Sequence, residues 1–380
     1  MNNLAAFVFL FMTCTGGLSQ TVMVKVENQE KDFPVFFNNK ISNIQLDHND
    51  HEVIKIAAEL LAGDIEAVTG KKPNILSGEK KPSNNVIIIG SIDRSKLIQK
   101  LMERDKINVG SVEGKWEASL ITTVSNPFPR VEKALVITGS DRRGAAYGAM
   151  ELSRNIGVSP WIWWADAVPQ KQDRIIVKEG RYYVPPPAVK YRGAFRNDEL
   201  WGLRQWAAKT QDTVYKDMGP NAYAKVFELM LRLKANYIWP ARHTAFNRKT
   251  ENAMMADRYA IVRGGAHNSP MLGNARKNWD EEKMGEWNYL TNKENILKFW
   301  KSNLKKFGQY ENVYTIGMRG VGDLPMKGGQ NMEQKVETLQ QIILDQRGLL
   351  SEYYGKPASE IPQIFAAYKE VLNLYKHGMY

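Results

Sequence analysis

The stretch KVFELMLRLKANYIWPA, residues 225–241, decides the fold class of the C-terminal half of the chain. An amphipathic helix is predicted over residues 222–234, where four apolar side chains share one face. They are Val226, Leu229, Met230 and Leu233. The run ANYIWPA, residues 235–241, follows at once and predicts a buried strand. A long helix that leads directly into a strand is typical of one repeat of an α/β fold.

Four more strands are predicted on either side of this stretch. They are YRGAFR (191–196), YAIVRGGAH (259–267), NVYTIGMRG (312–320) and PQIFAAYK (362–369). Strands separated by helices in this order pair in parallel, and five such units favour a (β/α)₈ barrel of the TIM type over an open sheet. Because a complete barrel takes about 250 residues, the sequence predicts an incomplete one, with about five of eight strands, over residues 191–380.

The residues before this barrel alternate strand and helix in a pattern of their own, which predicts a small α/β domain over residues 22–184. The predicted strands are VIIIG (86–90), WEASLITTV (116–124) and ALVITG (134–139), and the predicted helices are 51–70 and 143–156. Three consecutive prolines at 185–187 form a stiff extended segment. A linker is therefore predicted over residues 185–190.

The composition is that of an ordinary globular protein, with 43% hydrophobic and 24% charged residues. A net charge of +11 can attract a polyanion such as nucleic acid, an anionic membrane or an acidic polysaccharide, but a solvated basic surface is the more ordinary explanation. The lysines and arginines are too dispersed for a nucleic-acid-binding arm, so nucleic acid is not expected as a partner. Ten tryptophans and sixteen tyrosines suit sugar stacking and a large core equally well.

The N-terminus has the pattern of a secretory signal peptide over residues 1–19. Leu4–Met12 is an unbroken apolar stretch too short to span a bilayer, and Gly17-Leu18-Ser19 supplies small residues for cleavage before Gln20. No later stretch predicts a membrane span. The only cysteine, Cys14, would leave with the signal, so the mature chain has no disulfide or thiolate ligand. We expect a secreted or periplasmic protein.

Polar residues follow each predicted strand at its C-terminal end, where (β/α)₈ enzymes carry their reactive groups. They are Asn197, Asp198 and Glu199; Arg242 and His243; His267 and Asn268; Arg319 and Asp323; and Tyr368, Lys369 and Glu370. Carboxylates, two histidines and two arginines thus gather on one rim, although only their position at the end of a predicted strand selected them. This convergence predicts a single active site.

Two carboxyl groups are what glycoside hydrolysis requires, one to protonate the leaving oxygen and one to activate water or attack carbon. Asp198 and Glu370 follow strands on opposite sides of the predicted ring, and a wide separation favours inversion. Arg319 is suited to clamp a uronate carboxylate through two hydrogen bonds, and His267 to bind a sugar hydroxyl. The structural alternatives are a helix cap for Asp198, a surface position for Glu370 and a structural ion pair for Arg319.

Other catalytic patterns fail on spacing. The glycines at 139, 144 and 148 miss the dinucleotide fingerprint, and no G-x-S-x-G elbow is present. His243 and His267 lack H-E-x-x-H spacing, so no metal site is expected. A hexosaminidase of family 20 would need an adjacent Asp-Glu pair after the fourth strand, and residues 318–323 lack one.

The segment YRGAFRNDE at 191–199 resembles glycoside hydrolase family 115, the xylan α-1,2-glucuronidases. The likeness continues through residues 225–241 and through GEWNY (285–289), YTIGMRG (314–320) and YKEVL (368–372); SPWIWWAD (159–166) is similar to the N-terminal domain of that family. The resemblance implies removal of (4-O-methyl-)glucuronic acid from glucuronoxylan, or a related acidic polysaccharide, with inversion and without a cofactor.

Carried over position by position, the resemblance makes Asp198 and Glu370 the catalytic carboxyl groups, without assigning acid and base. The substrate-binding residues it implies are Asn197, His267, Arg319, Asp323, Tyr368 and Trp161. The chain departs from the family at 267–270, where His-Asn-Ser-Pro stands in place of the common His-Cys-Glu-Pro, a change that bears on substrate choice.

The predicted barrel also lacks the later family motifs, so we expect the chain to be a fragment, with a homodimer forming through C-terminal domains beyond it. The alternative function is that of a non-catalytic or degenerate carbohydrate-binding protein.

Overall fold

A computed structural model of the chain describes residues 24–25, 27–77, 84–196, 202–240, 250–322, 324–329 and 331–378. The predicted signal peptide, residues 1–19, lies outside these ranges. No helix within them is both long enough and apolar enough to cross a membrane.

Ten strands and three helices form the N-terminal part of the described chain. The strands are β1 (Val24–Lys25), β2 (Phe33–Phe37), β3 (Lys40–Ile41), β4 (Asn43–Leu46), β5 (Ile75–Ser77), β6 (Asn85–Ser91), β7 (Ser119–Ser125), β8 (Lys133–Gly139), β9 (Ile175–Val177) and β10 (Arg181–Val184). The helices are α1 (Glu52–Thr69), α2 (Lys96–Glu103) and α3 (Arg142–Asn155). As the sequence predicts, Gly70 ends α1, in a left-handed conformation with a φ of 78°.

The main sheet of this part has the strand order β10-β7-β8-β6-β4-β5. Strands β4, β5, β6 and β8 are parallel, whereas β7 and β10 are antiparallel to their neighbours. Alternate residues of β6 face opposite sides of the sheet: Ile87 packs with α1 and α3, and Ile88 packs with α2. A smaller antiparallel sheet has the order β1-β9-β2-β3.

Five short strands and eight helices form the C-terminal part of the described chain. The strands are β11 (Gly193–Phe195), β12 (Tyr237–Trp239), β13 (Val262–Arg263), β14 (Tyr314–Ile316) and β15 (Gln363–Phe365). The helices are α4 (Leu203–Thr210), α5 (Pro220–Arg232), α6 (Thr250–Arg258), α7 (Ala275–Asn278), α8 (Glu281–Met284), α9 (Tyr289–Phe307), α10 (Met332–Tyr354) and α11 (Glu370–Lys376).

These five strands follow one another in chain order. Strands β11, β12 and β13 pair in parallel, β14 pairs in parallel with β15, and a parallel bridge between Arg263 and Asn312 joins the two groups. The helices pack against them through a shared core that includes Phe227, Ile238, Trp300 and Leu339. The chain is therefore a mixed α/β protein, and its C-terminal strands have the parallel pairing that the sequence predicts.

Ion pairs attach the N-terminal part to the start of the C-terminal strands. The Arg192 side chain, just before β11, donates to Glu117 at 2.5 Å, and Asn236, just before β12, donates to Glu117 at 2.6 Å. The Arg143 side chain pairs with Glu311, which precedes β14. Because these contacts engage the N-terminal ends of the strands, the N-terminal part leaves the C-terminal ends clear for a site.

Candidate active site

Four of the predicted site residues lie together beyond the C-terminal ends of β13, β14 and β15. They are His267, Arg319, Tyr368 and Glu370. Asn197, Asp198 and Asp323 lie outside the described residues, as do Arg242 and His243.

The centre of the group is a two-pronged ion pair between Arg319 and Glu370. The Arg319 Nε donates to Glu370 Oε1 at 2.9 Å, and Nη2 donates to Oε2 at 2.8 Å. The Arg319 side chain is 2% exposed and the Glu370 side chain 25% exposed. Bidentate pairs of this kind fix both position and orientation, so the Glu370 carboxylate is held in one plane at the mouth of the site.

Tyr368 extends this pair toward His267. Its ring centroid lies 4.4 Å from that of His267, with the two ring planes 34° apart. The Arg319 guanidinium carbon lies 5.1 Å from the Tyr368 centroid, within the range of a cation–π interaction. Since Tyr368 remains 42% exposed, an aromatic surface beside the ion pair is open to solvent.

The loop after β13 carries His267 and follows a crowded path. A Cβ atom at Gly264 would lie 2.1 Å from Tyr237 Oη, so only glycine fits there. The Thr315 hydroxyl donates to the Gly265 carbonyl at 2.5 Å and ties this loop to β14. Glycines at 264 and 265 therefore let the chain leave β13 closely enough to its neighbours to bring His267 beside Tyr368.

Arg263, at the end of β13, supports the same loop from the side of the helices. Its Nη2 donates to the Leu272 carbonyl at 3.1 Å, and its guanidinium carbon lies 4.4 Å from the Phe307 ring centroid. Burial lowers the pKa of Arg263 to about 10, because the charged form is poorly solvated there. This arginine acts within the core and does not join the group around Arg319.

Two residues that sequence reasoning did not select hold the loop after β14. The Gln346 side chain, from α10, accepts from the Gly317 amide at 2.7 Å and donates to the Gly317 carbonyl at 3.0 Å. The Trp287 indole donates to the Arg319 carbonyl at 2.8 Å. Trp287 could have been selected from the sequence, because it lies in the motif GEWNY. Gln346 is one of several polar residues on a long helix, and no sequence pattern distinguishes it from the others.

Trp161 lies apart from this group, in the loop after α3. It is 48% exposed. The same loop contacts α4 and α5, where the Trp163 and Trp206 centroids are 5.7 Å apart and the Trp164 indole donates to the Lys225 carbonyl at 3.1 Å. Its predicted role in substrate binding stays a prediction.

The described residues contain no cluster of three or more His, Cys, Asp or Glu side chains placed to hold a metal ion. The chemistry available to the group is that of a carboxylate, a guanidinium and two rings. This set suits recognition of an acidic sugar and proton transfer at its anomeric bond.

The family model of glycosyl hydrolase family 115 matches residues 185–380, more than half of the chain. The chain therefore belongs to that family. The resemblance proposed from the motifs is confirmed.

One similar solved structure is described as a family 115 4-O-methyl-α-glucuronidase with specificity for decorated arabinogalactans. It shares 35% sequence identity and a TM-score of 0.79, over 89% of this chain and 43% of that one. A chitobiase from Flavobacterium johnsoniae matches at 12% identity and a TM-score of 0.48, over 88% and 50% of the two chains. No curated protein matches the chain. The chain spans less than half the length of the similar glucuronidase.

Proposed function

We propose that this protein removes (4-O-methyl-)glucuronic acid side chains from glucuronoxylan or a related acidic polysaccharide. The observation that carries the proposal is the Arg319–Glu370 pair, set beside the exposed ring of Tyr368 at the ends of parallel strands. Membership of glycosyl hydrolase family 115 supports it, as does the similar solved structure of a 4-O-methyl-α-glucuronidase. Since that enzyme is described as specific for decorated arabinogalactans, both polymers are candidate substrates.

The proposed mechanism is inverting and uses Glu370 as the general base. Both Glu370 oxygens accept hydrogen bonds from Arg319, and each oxygen keeps a second lone pair that can accept a proton. An ionised carboxylate can take a proton from the attacking water, and the second carboxyl group then protonates the leaving oxygen. Asp198 is the proposed acid. It follows β11, the first of the five parallel strands, whereas Glu370 follows β15, the last.

The remaining predicted residues bind the sugar. Arg319 supplies a nearly buried positive charge that attracts the uronate carboxylate while it orients Glu370. Hydrogen bonds and ring contacts to the substrate are proposed for Asn197, His267, Asp323 and Tyr368.

The five parallel strands are proposed to be part of a (β/α)₈ barrel, with residues 191–380 as a fragment of it. Their unbroken order supports this, and so do the outer strands. Strand β11 is exposed along its whole length, and β15 is only half-buried. Further strands from the rest of the protein would cover these edges. A homodimer and export to the periplasm or medium also remain proposals.

Replacement of Glu370 by glutamine tests the proposed activity. Release of glucuronic acid from glucuronoxylan and from decorated arabinogalactan should fall by about a hundredfold or more, because proton transfer is lost. Glu360→Gln makes the same change in charge in an exposed turn and should leave the rate unaltered. Near-normal turnover by the Glu370 variant would show that Glu370 does not take part in catalysis. Absence of turnover in the unaltered protein, with polysaccharide still bound, would favour the carbohydrate-binding alternative.

A further inference from the structure

A small cavity opens beside the candidate active site, between the loops that follow β13 and β14. It has a volume of about 290 Å³. We call it the rim pocket. Its principal lining residues are Arg276, Trp279, Gly320, Val321, Leu324 and Lys327.

The rim pocket is joined to the Arg319–Glu370 pair through the backbone and two indole rings. Gly320 follows Arg319 directly, and its amide donates to the Leu324 carbonyl at 3.1 Å, which curls the loop into one wall. The Trp287 indole donates to the Arg319 carbonyl, and its ring centroid lies 4.8 Å from that of Trp279. A polymer bound at Arg319 therefore has a neighbouring recess on the same rim.

The two cationic side chains that line the rim pocket differ in their ion pairing. Arg276 is exposed and has no ion-pair partner among the described residues, whereas Lys327 pairs with Glu286 at 2.8 Å. Glu281 is the one carboxylate among the lining residues that the structure describes. An exposed guanidinium that forms no ion pair with the described residues favours an anionic ligand, and guanidinium geometry suits a carboxylate.

The remaining walls of the rim pocket are apolar. Val321, Leu324 and Pro325 line it together with Trp279, and Leu324 is 62% exposed. A pyranose ring presents C–H groups on its faces and hydroxyl groups at its edge, so it can pack on such walls. Since pockets for larger ligands begin at about 300 Å³, a single sugar unit suits this volume better than a chain.

We propose that the rim pocket binds a second sugar unit of the same polysaccharide, one that carries its own carboxylate, which pairs with Arg276. This inference rests on the proposed function and narrows it to polymers whose uronic acids are closely spaced. Because the contact is remote from the bond that breaks, it stabilises ground state and transition state alike and acts on KM.

The test compares Arg276→Gln with Lys277→Gln on two matched oligosaccharides. One carries a second uronic acid beside the glucuronic acid that is released, and the other has that second carboxyl group reduced to an alcohol. Arg276→Gln should raise KM for the diacidic substrate by about fivefold, the upper range for an exposed ion pair, with kcat unchanged. It should leave the kinetics of the reduced substrate as they are. Lys277 is exposed on the same helix but does not line the pocket, so its variant should behave as the unaltered protein.

Equal effects of Arg276→Gln on the two substrates, or no effect on either, would overturn the proposal. If the unaltered protein released no glucuronic acid from either substrate, the proposed function would fail on its own. Calorimetric titration with the same two oligosaccharides would then show whether the rim pocket binds the second carboxylate. Tighter binding of the diacidic compound, lost in Arg276→Gln, would support it, and equal binding would reject it.

Discussion

Lys369 is the residue whose backbone departs furthest from ordinary geometry in the candidate site. It has a φ of 52° and a ψ of −124°, a conformation that favours glycine, and it stands between Tyr368 and Glu370. This turn places the tyrosine ring beside His267 and, one residue later, the carboxylate against Arg319. Strain at this position follows from the need for Tyr368 and Glu370, on either side of it, both to point into one site.

Replacement of Lys369 by glycine should therefore raise the melting temperature relative to Lys369→Ala. Both variants lose the lysine side chain, but only glycine relieves the strain, which costs about 1–3 kcal/mol. The greater conformational freedom of glycine in the unfolded chain reduces this gain in stability by up to about 1 kcal/mol. Thermal unfolding of the two variants measures the difference. A glycine variant that melts below the alanine variant would show that the turn is not strained.

Residue-level reasoning from sequence selected Arg319 and Glu370 as site residues but did not predict that they pair with each other. Arg319 and Glu370 each follow a predicted strand, and that position alone selected them. Arg319 was expected to clamp a substrate carboxylate, with a structural ion pair as the alternative, and the structure shows it bonded to Glu370. Which partner an arginine meets depends on how two loops close in space, and the spacing of residues along the chain does not contain that information.

At the scale of elements, the helices lie close to where the apolar periodicity predicts them, whereas the strands are shorter than predicted. The helix predicted at 222–234 is α5, Pro220–Arg232. The strand predicted at 259–267 is only Val262–Arg263, because Tyr259 follows the end of α6 and the two glycines leave the sheet at once. An apolar run of this kind continues through a helix end, a strand and a loop without a change in composition, so periodicity cannot divide it.

The glycine that ends β13 provides a test at this scale. Gly264→Ala should destabilise the protein by about 1–3 kcal/mol, because the added methyl group would meet Tyr237 Oη at 2.1 Å and Trp239 Cδ1 at 2.5 Å. Gly63→Ala is the matched control. Gly63 lies inside α1 with no atom within 4 Å of the added carbon, so its variant should gain about 0.5–1 kcal/mol. Urea unfolding measures both changes, and a loss of similar size in both variants would contradict the argument from crowding.

At the scale of the whole molecule, buried ion pairs hold the two parts together. Arg232 of α5 donates to both Asp64 oxygens of α1, at 2.8 and 2.9 Å, and both side chains are about as buried as core residues. Glu151 of α3 pairs with Lys234 at 2.6 Å. The sequence predicted two α/β units but gave no sign of these contacts, since each partner lies among many other charged residues. Such pairs favour one orientation of the two parts, because a different packing of the parts would leave a buried charge without its partner.

Glu151 makes this attachment sensitive to acid. Burial alone would raise the pKa of Glu151, but hydrogen bonds and charge from Lys234 and Arg154 outweigh burial and hold the pKa below its ordinary value of 4.5. A carboxyl group with a lowered pKa in the folded state contributes stability above the pKa of the unfolded chain. That contribution is lost as the pH falls from about 4.5 through the folded value.

Glu151→Gln should accordingly lower the free energy of unfolding at neutral pH, and the gap to the unaltered protein should close in acid, below pH 4.5. Glutamine keeps the shape of the side chain, removes its charge and replaces one of the two accepting oxygens with an NH2 donor. The exposed Glu360→Gln variant should show no such convergence. Urea unfolding across this pH range provides the measurement. A gap that stays constant with pH would mean that packing around residue 151, and not its charge, joins the two parts.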